Sequence, residues 1–172
     1  IENQEYWNKR APSFAKHVTE TDYEKQFLQR LSLDPSWDLL DVGCAAGTLA
    51  VPLAGRVASV TALDFSPVMI DLLRQRCAES GITNIKPVVG SWEDDWESLG
   101  IGTYDVIIAS RSLAVGNLGD AIAKLNRAAR EMVCISTLVG DGPFERRIFD
   151  AVGRSLDMGP DYIYIYNYLH QL

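Results

Sequence analysis

The apolar positions of the chain alternate between short runs of strand length and longer segments with helical spacing. Five runs have the length and composition of buried strands: Trp37–Val42, Val57–Leu63, Ile85–Val89, Tyr104–Ala109 and Val133–Val139. Between them, apolar residues recur every three or four positions over 48–56, 66–81 and 117–131, which predicts helices. Strands alternating with helices predict an α/β fold, with a doubly wound, mainly parallel sheet covered on both faces.

Helical patterns also flank the predicted sheet; they cover residues 3–16, 22–31 and 144–156. The first of these patterns is interrupted at Pro12, where we expect the helix to break. The tail is ambiguous, because tyrosines at every second position from Tyr162 to Tyr168 favour a strand. The preceding Gly159-Pro160-Asp161 favours the start of a helix, and we expect a helix there.

Composition narrows the class of protein. The chain has 172 residues, a net charge of −7 and 47% hydrophobic residues, which is ordinary for one globular domain. No apolar run approaches the roughly 20 residues of a membrane span, and we expect no membrane association. The acidic balance argues against non-specific nucleic-acid binding, which depends on clustered Lys and Arg. Three cysteines without a CxxC pair argue against disulfides and zinc, so we expect no metal and a cytoplasmic location.

A turn of small residues stands between the first predicted strand and the next helix. The segment Asp41-Val42-Gly43-Cys44-Ala45-Ala46-Gly47 runs from the strand into a helix that starts at about Thr48. Such a turn allows a ligand to approach the backbone and directs free helical N–H groups at it. Tight packing of the strand against the helix is the alternative explanation for the small residues. For Cys44, small size is also a better explanation than nucleophilic chemistry.

Asp64 strengthens the ligand hypothesis. It ends the second predicted strand, about 20 residues after Gly43, where a carboxylate accepts hydrogen bonds from ribose hydroxyls. The turn and this carboxylate together indicate an adenosine-type cofactor. A dinucleotide fingerprint would need glycine where Ala45 and Thr48 stand, and no Gly-Lys-Ser/Thr of a P-loop occurs.

These motifs carry a resemblance to a known family. The pattern Asp41-x-Gly43-x-Ala45-x-Gly47, the carboxylate Asp64 and the strand Tyr104–Ala109 resemble class I S-adenosylmethionine-dependent methyltransferases. The resemblance covers about 6–139 and includes the opening Tyr6-Trp7-Asn8-Lys9-Arg10-Ala11. It implies a Rossmann-like methyltransferase fold, S-adenosylmethionine as the cofactor, and an enzyme that transfers its methyl group.

The resemblance also implies roles for individual residues. The implied cofactor-binding set is Asp41, Gly43, Cys44, Ala45, Gly47, Asp64, Phe65, Met69, Ser91, Trp92 and Ser110. Within it, the glycine turn passes beneath the methionine part of the cofactor, and Asp41 lies near the ammonium group. Asp64 holds the ribose, and Phe65 and Met69 lie against the adenine ring. Ser91 and Trp92 meet the adenine edge, and Ser110 flanks the methyl group.

Substrate-binding residues are less well defined by the sequence. Arg111, beside Ser110, is a cation that could hold an anionic substrate, and a surface salt bridge is the alternative. Tyr6 and Trp7 could cover the cofactor, and ordinary core packing competes with that role. Neither histidine receives a role, and no catalytic residue is assigned. The acidic segment 93–97 is interpreted as a solvated loop and not as a metal site.

Three departures from the family pattern mark the chain as divergent. Ala45 replaces the more common middle glycine, Ser91 stands where many relatives have Asp, and no Lys-Pro-Gly-Gly turn precedes the fifth strand. The family sheet has seven strands and only five are predicted here, so we expect the C-terminal hairpin to be missing. The edge of the fifth strand should then be open or covered by the tail. Because the chain begins at Ile1, we expect a piece of something longer.

The domain organisation and the substrate follow as expectations. We expect one methyltransferase domain over 1–172, with an N-terminal helical lid (1–35), a cofactor-binding core (36–139) and a truncated C-terminal helical segment (140–172). The Asn/Asp-Pro-Pro-Tyr of base-amino methylation and the Pro-Cys of cytosine C5 enzymes are absent. With the acidic charge, this favours a small-molecule acceptor and no nucleic acid. The alternatives are an inactive cofactor-binding module and, less favoured, a nicotinamide-dependent oxidoreductase. The oligomeric state is not predicted.

Overall fold

A computed structural model of the chain describes residues 4–16, 22–139, 146–153 and 162–171. The strands are β1 (Asp38–Val42), β2 (Ser59–Asp64), β3 (Ile85–Val89), β4 (Tyr104–Ser110) and β5 (Ala129–Ser136). The helices are α1 (Gln4–Lys16), α2 (Asp22–Arg30), α3 (Ala50–Ala54), α4 (Pro67–Glu79), α5 (Leu118–Ala128), α6 (Arg146–Ala151) and α7 (Tyr162–Leu169). All strand pairs are parallel, in the order β3-β2-β1-β4-β5. The predicted α/β fold class is therefore confirmed.

Two apolar layers cover the central strands, because parallel strands need helices on both faces. Leu39 and Ile108 point to the layer that contains α3 and α4. The neighbouring Leu40 and Ile107 point to the opposite layer, which contains α5 and α7. This alternation buries nearly every residue of β1 and β4 and explains their almost continuous hydrophobicity.

The helices that follow the strands begin with the caps that their sequences predict. Ser66 precedes α4, its hydroxyl accepts a hydrogen bond from the Met69 N–H, and Pro67 is the first helical residue. Asn117 caps α5 by accepting from the Asp120 N–H. These caps set where the helices start, close to the carboxyl ends of the strands before them.

The fifth strand differs from its prediction. The sequence pattern predicts a helix to residue 131 and a strand over Val133–Val139, whereas α5 ends at Ala128 and β5 covers Ala129–Ser136. The cause is tertiary, because Arg130 donates to the carboxylates of Asp38 on β1 and Asp105 on β4, at 2.5 and 2.9 Å. These ion pairs connect the start of β5 to β4 and, beyond it, to β1, which no local pattern reveals.

Helix α6 (Arg146–Ala151) lies within the helix predicted over 144–156, of which residues 144–145 and 154–156 are outside the described residues. Two helices of the N-terminal half differ from their predictions. The interruption expected at Pro12 is wrong, since α1 continues through it to Lys16. Packing of α1 on α4 outweighs the single N–H that proline lacks; Ala11 beside it is fully buried. The helix predicted over 48–56 is shorter than expected and covers Ala50–Ala54.

The tail is helical in α7, as expected, and the alternative strand is wrong. Ile165 is buried in the layer with α5, while Tyr164 and Tyr166 are more than half exposed. No strand among the described residues pairs with the outer edge of β5, and a cavity of about 260 Å³ lies beside it, lined in part by Leu125 and Leu169. Within the described ranges, no helix is long and apolar enough to cross a membrane.

The docking of α7 is expected to depend on Ile165. Replacing this buried side chain with alanine should destabilise the α7 contact by about 2–5 kcal/mol, because it removes apolar contacts and leaves a cavity. Hydrogen exchange of the α7 amides measures this opening. Ile163→Ala is the matched control, because its side chain is 42% exposed on the same helix and its loss should change exchange little. Equal effects of the two variants would show that α7 is not held through Ile165.

Candidate cofactor site and active site

The site lies at the carboxyl edge of the sheet, where the strand order reverses. From β1 the chain passes to β2 on one side, and β4 lies on the other side of β1. In open α/β sheets the crevice at such a switch point binds ligands. Val42 pairs with Leu63, and Asp41 pairs with Ile108. Consequently Gly43, the residue after β1, lies between the ends of β2 and β4.

The glycine turn is built into the end of β1. The Gly43 and Cys44 N–H groups donate to the Leu63 carbonyl oxygen at 2.8 and 3.0 Å. Gly43 has a φ of +77°, and a Cβ there would lie 2.4 Å from the Ser112 Cβ. Gly47 has a φ of +81°, and its Cβ would lie 2.5 Å from a Leu73 methyl group. Conformation and packing therefore require both glycines, so the glycines alone do not indicate a ligand.

Asp64 connects the turn to the start of α4. Its Oδ2 accepts from the Ala45 N–H at 2.8 Å, and its Oδ1 accepts from the Ser66 N–H at 2.9 Å. Ala45 itself has a left-handed φ of +49°, which this hydrogen bond helps to hold. Burial raises the pKa of Asp64, and the two N–H donors oppose that rise. Each carboxylate oxygen keeps a further acceptor position for a ligand hydroxyl.

Asp41 lies on the other side of the turn, in the last part of β1. It is 2% exposed. Burial, with a smaller contribution from the Asp64 charge, raises the pKa of Asp41 to about 7. Asp41 Oδ2 and Thr48 Oγ1 are the two buried side-chain polar atoms for which the described residues supply no hydrogen-bond partner. Because both flank the glycine turn, these two unsatisfied polar atoms fit the contacts of a polar ligand bound there.

The charges at the site select the kind of ligand. Among the described residues, neither Asp41 nor Asp64 forms an ion pair, and no basic side chain lowers the pKa of either. Two buried carboxylates without a cation favour a ligand that brings positive charge. S-adenosylmethionine carries a sulfonium and an ammonium group and fits this requirement. The anionic pyrophosphate of a dinucleotide does not.

Helix α1 covers the side of the site where α4 begins. Asn8 accepts a hydrogen bond from the Ser66 hydroxyl at 2.6 Å, and Gln4 donates to the Phe65 carbonyl oxygen. Met69 is almost fully buried in a cluster that includes Ala11 and has the Trp7 ring against it. Tyr6, the residue before Trp7, is 42% exposed, with its ring against Trp7 and Arg10.

In the loop after β3, a carboxylate is hydrogen-bonded to the backbone of Ser91. Ser91 replaces an aspartate that is common in the resembled family, and its N–H donates to Asp94 Oδ2 at 2.8 Å. The Trp92 indole N–H donates to the Ser112 carbonyl oxygen at 2.9 Å. Trp92 therefore joins this loop to the segment that follows β4. The sequence analysis placed Asp94 in the acidic segment 93–97, interpreted as a solvated loop, and did not predict its hydrogen bond with Ser91.

The loop after β4 forms the last side of the site. Ser110 ends β4, and its hydroxyl contacts the hydroxyls of Tyr23 on α2 and of Ser136 on β5. The next residue, Arg111, stacks its guanidinium over the Tyr23 ring, 4.0 Å from the centroid. Sequence reasoning missed Tyr23 and Thr48; Tyr23 lies 87 positions before Ser110, and only folding brings the two together.

The remaining chemistry-bearing candidates are structural where they are described. Cys44 is buried, and burial raises the pKa of its thiol well above the usual range, which agrees with small size as the reason for this residue. No group of three or more His, Cys, Asp or Glu side chains in the described ranges has the arrangement of a metal site. His17 lies outside the described residues.

Comparison with known proteins identifies the family. A family model described as "Methyltransferase domain" matches residues 39–134, which span β1 to β5. The chain therefore belongs to the class I S-adenosylmethionine-dependent methyltransferase family, and S-adenosylmethionine is its cofactor.

The chain is similar to individual proteins over part of their lengths. An uncharacterized protein of Haemophilus influenzae is 36% identical over 96% of this chain and 62% of its own length. Ribosomal RNA small subunit methyltransferase G of Deinococcus radiodurans is 32% identical over 72% of this chain and 48% of its own length. The chain thus spans about half to three fifths of these relatives. A SAM-dependent methyltransferase from Aquifex aeolicus has the same fold, with a TM-score of 0.72 at 16% identity over 93% of this chain and 86% of that one.

Proposed function

We propose that the chain catalyses S-adenosylmethionine-dependent methylation of a small molecule. The observation that carries the proposal is the pair of buried carboxylates, Asp41 and Asp64, at the switch point of the sheet, with which no basic side chain of the described residues forms an ion pair. When bound, the cofactor would supply an electrophilic methyl group on a sulfonium, and the electron pair of the broken carbon–sulfur bond would stay on sulfur in S-adenosylhomocysteine. The protein has to hold this group, align the acceptor and exclude water.

The proposal divides the site into a methionine part and an adenosine part. Asp41, as the carboxylate, and the Thr48 hydroxyl would hold the polar end of the methionine part. Asp64 would accept from the ribose hydroxyls while it keeps the Ala45 N–H. The remaining proposed contacts are with the backbone of Gly43, Cys44 and Gly47, and with Phe65, Met69, Ser91, Trp92 and Ser110. Met69 is buried, so its side chain would form part of the floor of the proposed adenine pocket.

The proposal assigns helix α1 to closure of the site. Its contacts with Ser66 and Phe65 tie it to the start of α4, next to the Asp64 carboxylate. Trp7 would exclude water from that side, and Tyr6 would extend the apolar cover. That residues 1–172 form one domain, with residues 1–35 as a lid, is part of the same proposal.

The small-molecule acceptor is supported by charge and by motif. The chain carries a net charge of −7 and lacks the Asn/Asp-Pro-Pro-Tyr signature after β4, and RNA binding depends on clustered positive charge. RNA methylation is the second candidate, because a relative at 32% identity is a ribosomal RNA enzyme. Incubation with methyl-labelled cofactor separates the two: label in RNA and not in small molecules would contradict the first candidate.

Calorimetry tests the cofactor part of the proposal. We expect saturable binding of S-adenosylhomocysteine at micromolar concentration and no binding of NADH, because the buried carboxylates repel a pyrophosphate. Tight NADH binding without S-adenosylhomocysteine binding would restore the oxidoreductase alternative. Binding of the cofactor without turnover on a panel of metabolites would leave an inactive binding module as the function.

A further inference from the structure

Three hydroxyl groups meet where β4 and β5 end. The Tyr23 hydroxyl lies 2.7 Å from Ser110 Oγ and 2.5 Å from Ser136 Oγ, and the two serine oxygens are 3.2 Å apart. Ser110 and Ser136 are partners in the β4–β5 register, so the strands themselves place them side by side. We call Tyr23, Ser110 and Ser136 the hydroxyl cluster.

Arg111 is fixed directly above this cluster. Its backbone N–H donates to the Ser136 carbonyl oxygen at 2.8 Å, and its φ of +53° is unusual for a residue with a side chain. Its guanidinium lies 4.0 Å from the centre of the Tyr23 ring. The backbone thus accepts a strained conformation that places the Arg111 side chain over Tyr23.

The guanidinium of Arg111 keeps its hydrogen-bonding capacity. The Arg111 guanidinium carbon lies over the Tyr23 ring, and no hydrogen bond within the described residues uses the five N–H donors of that guanidinium. Arg111 is exposed, and within the described ranges no carboxylate forms an ion pair with it. By contrast, the described Arg130 and Arg74 each pair with aspartate. Arg111 is a positioned cation whose planar fork is open to an anion.

The position of Arg111 relates it to the transferred methyl group. Asp41 pairs with Ile108, so the extension of β1 to Gly43 lies beside Ser110 on β4. Neighbouring strands are about 4.8 Å apart, which places the hydroxyl cluster one to two strand spacings from the glycine turn. The cluster and Arg111 therefore border the side of the proposed cofactor site that faces away from Asp64.

We propose that Arg111, held over Tyr23, binds a carboxylate of the methyl acceptor. The acceptor is then a small acid, and its nucleophilic group lies toward the hydroxyl cluster, whose oxygens accept its hydrogen bond. A carboxylate matches the planar fork in a bidentate pair, and its single charge matches the single guanidinium. This inference rests on the proposed function and adds the chemical class of the substrate.

The test uses benzoate as a minimal carboxylate, titrated into the full chain saturated with S-adenosylhomocysteine and followed by NMR. We expect saturable binding of benzoate and none of benzamide. Arg111→Gln should weaken benzoate binding by about tenfold or more, because a charge-assisted pair is lost. Arg127→Gln, which removes an exposed arginine of α5, is the matched control and should leave the affinity within about twofold.

Variants of Tyr23 test whether the position of the Arg111 guanidinium over the Tyr23 ring matters for benzoate binding, in addition to its charge. Tyr23→Phe keeps the ring beneath Arg111 and should keep benzoate binding, whereas Tyr23→Leu removes the stacking surface and should weaken binding as Arg111→Gln does. Unchanged affinity for S-adenosylhomocysteine in each variant shows that the fold and the cofactor site are intact.

Three results would overturn the inference: absence of saturable benzoate binding, equal losses in Arg111→Gln and Arg127→Gln, or tighter binding of phenyl phosphate than of benzoate. Failure of the parent chain to bind S-adenosylhomocysteine would instead overturn the proposed function on which the inference rests.

Discussion

Replacement of Asp64 by alanine is expected to weaken S-adenosylhomocysteine binding by about 100-fold or more. The substitution removes a buried carboxylate that accepts hydrogen bonds from backbone N–H groups and, in the proposal, from the ribose hydroxyls of the ligand. Asp64 holds the Ala45 and Ser66 N–H groups at 2.8 and 2.9 Å. Without it, the turn loses its link to α4, and the ribose loses its acceptor. Calorimetry on the parent and the variant measures the ratio of dissociation constants.

Cys44→Ser is the matched control for Asp64→Ala. Cys44 is buried in the same turn, and serine preserves its size, so we expect affinity to fall only a few-fold. The loss of affinity in Asp64→Asn should lie between the losses in Asp64→Ala and Cys44→Ser, since asparagine retains one oxygen acceptor but not the charge. Thermal unfolding of each variant shows whether the turn still folds. Equal losses for Asp64→Ala and Cys44→Ser would mean that the ribose site is elsewhere.

The affinity for S-adenosylmethionine is expected to fall at least about tenfold between pH 7 and pH 5.5. The pKa of Asp41 is raised to about 7 by burial and by the Asp64 charge. A ligand cation binds the ionised carboxylate, so protonation of Asp41 below that pKa competes with binding. Titration calorimetry over this range measures the slope, and Asp41→Asn should remove most of it. A parent affinity that does not change with pH would contradict contact between Asp41 and a cationic group.

The same group gives an independent signature in the ligand-free protein. The pKa of Asp41 is 3.8 for the unperturbed group and about 7 in the folded chain, so the folded state binds the proton more tightly. The contribution of Asp41 to the free energy of unfolding is therefore complete below about pH 4 and is lost as the pH rises to about 7. Asp41→Asn should consequently raise the stability measured by urea at pH 8 relative to the parent, and less so at pH 4.

The glycine turn and Asp64, which are central to the proposed cofactor site, could be predicted because their signals are local. The glycine turn requires left-handed backbone at Gly43 and Gly47, and few other residues meet that requirement. Asp64 follows from strand length, since it is the last residue of β2. These features depend on neighbours in sequence, which a single chain displays directly.

The parts that were missed depend on contacts between distant segments. Tyr23 was an ordinary residue of a predicted helix until α2 placed its hydroxyl on Ser110 and Ser136. The start of β5 was placed four residues too late because Arg130 is paired to strands far away in sequence. Thr48 received no ligand-binding role, since a threonine at a helix start has many explanations.

The sequence by itself determined the parallel sheet, its covered faces and the turn at the end of β1, because hydrophobic period and backbone conformation are local properties of the chain. The tertiary structure alone decided the electrostatics of the site. It buried Asp41 and Asp64 where no basic side chain of the described segments pairs with them, and it placed the Arg111 guanidinium over the Tyr23 ring. Desolvation and charge pairing depend on which segments of the chain are in contact in the folded protein. The sequence of a single segment does not reveal these contacts.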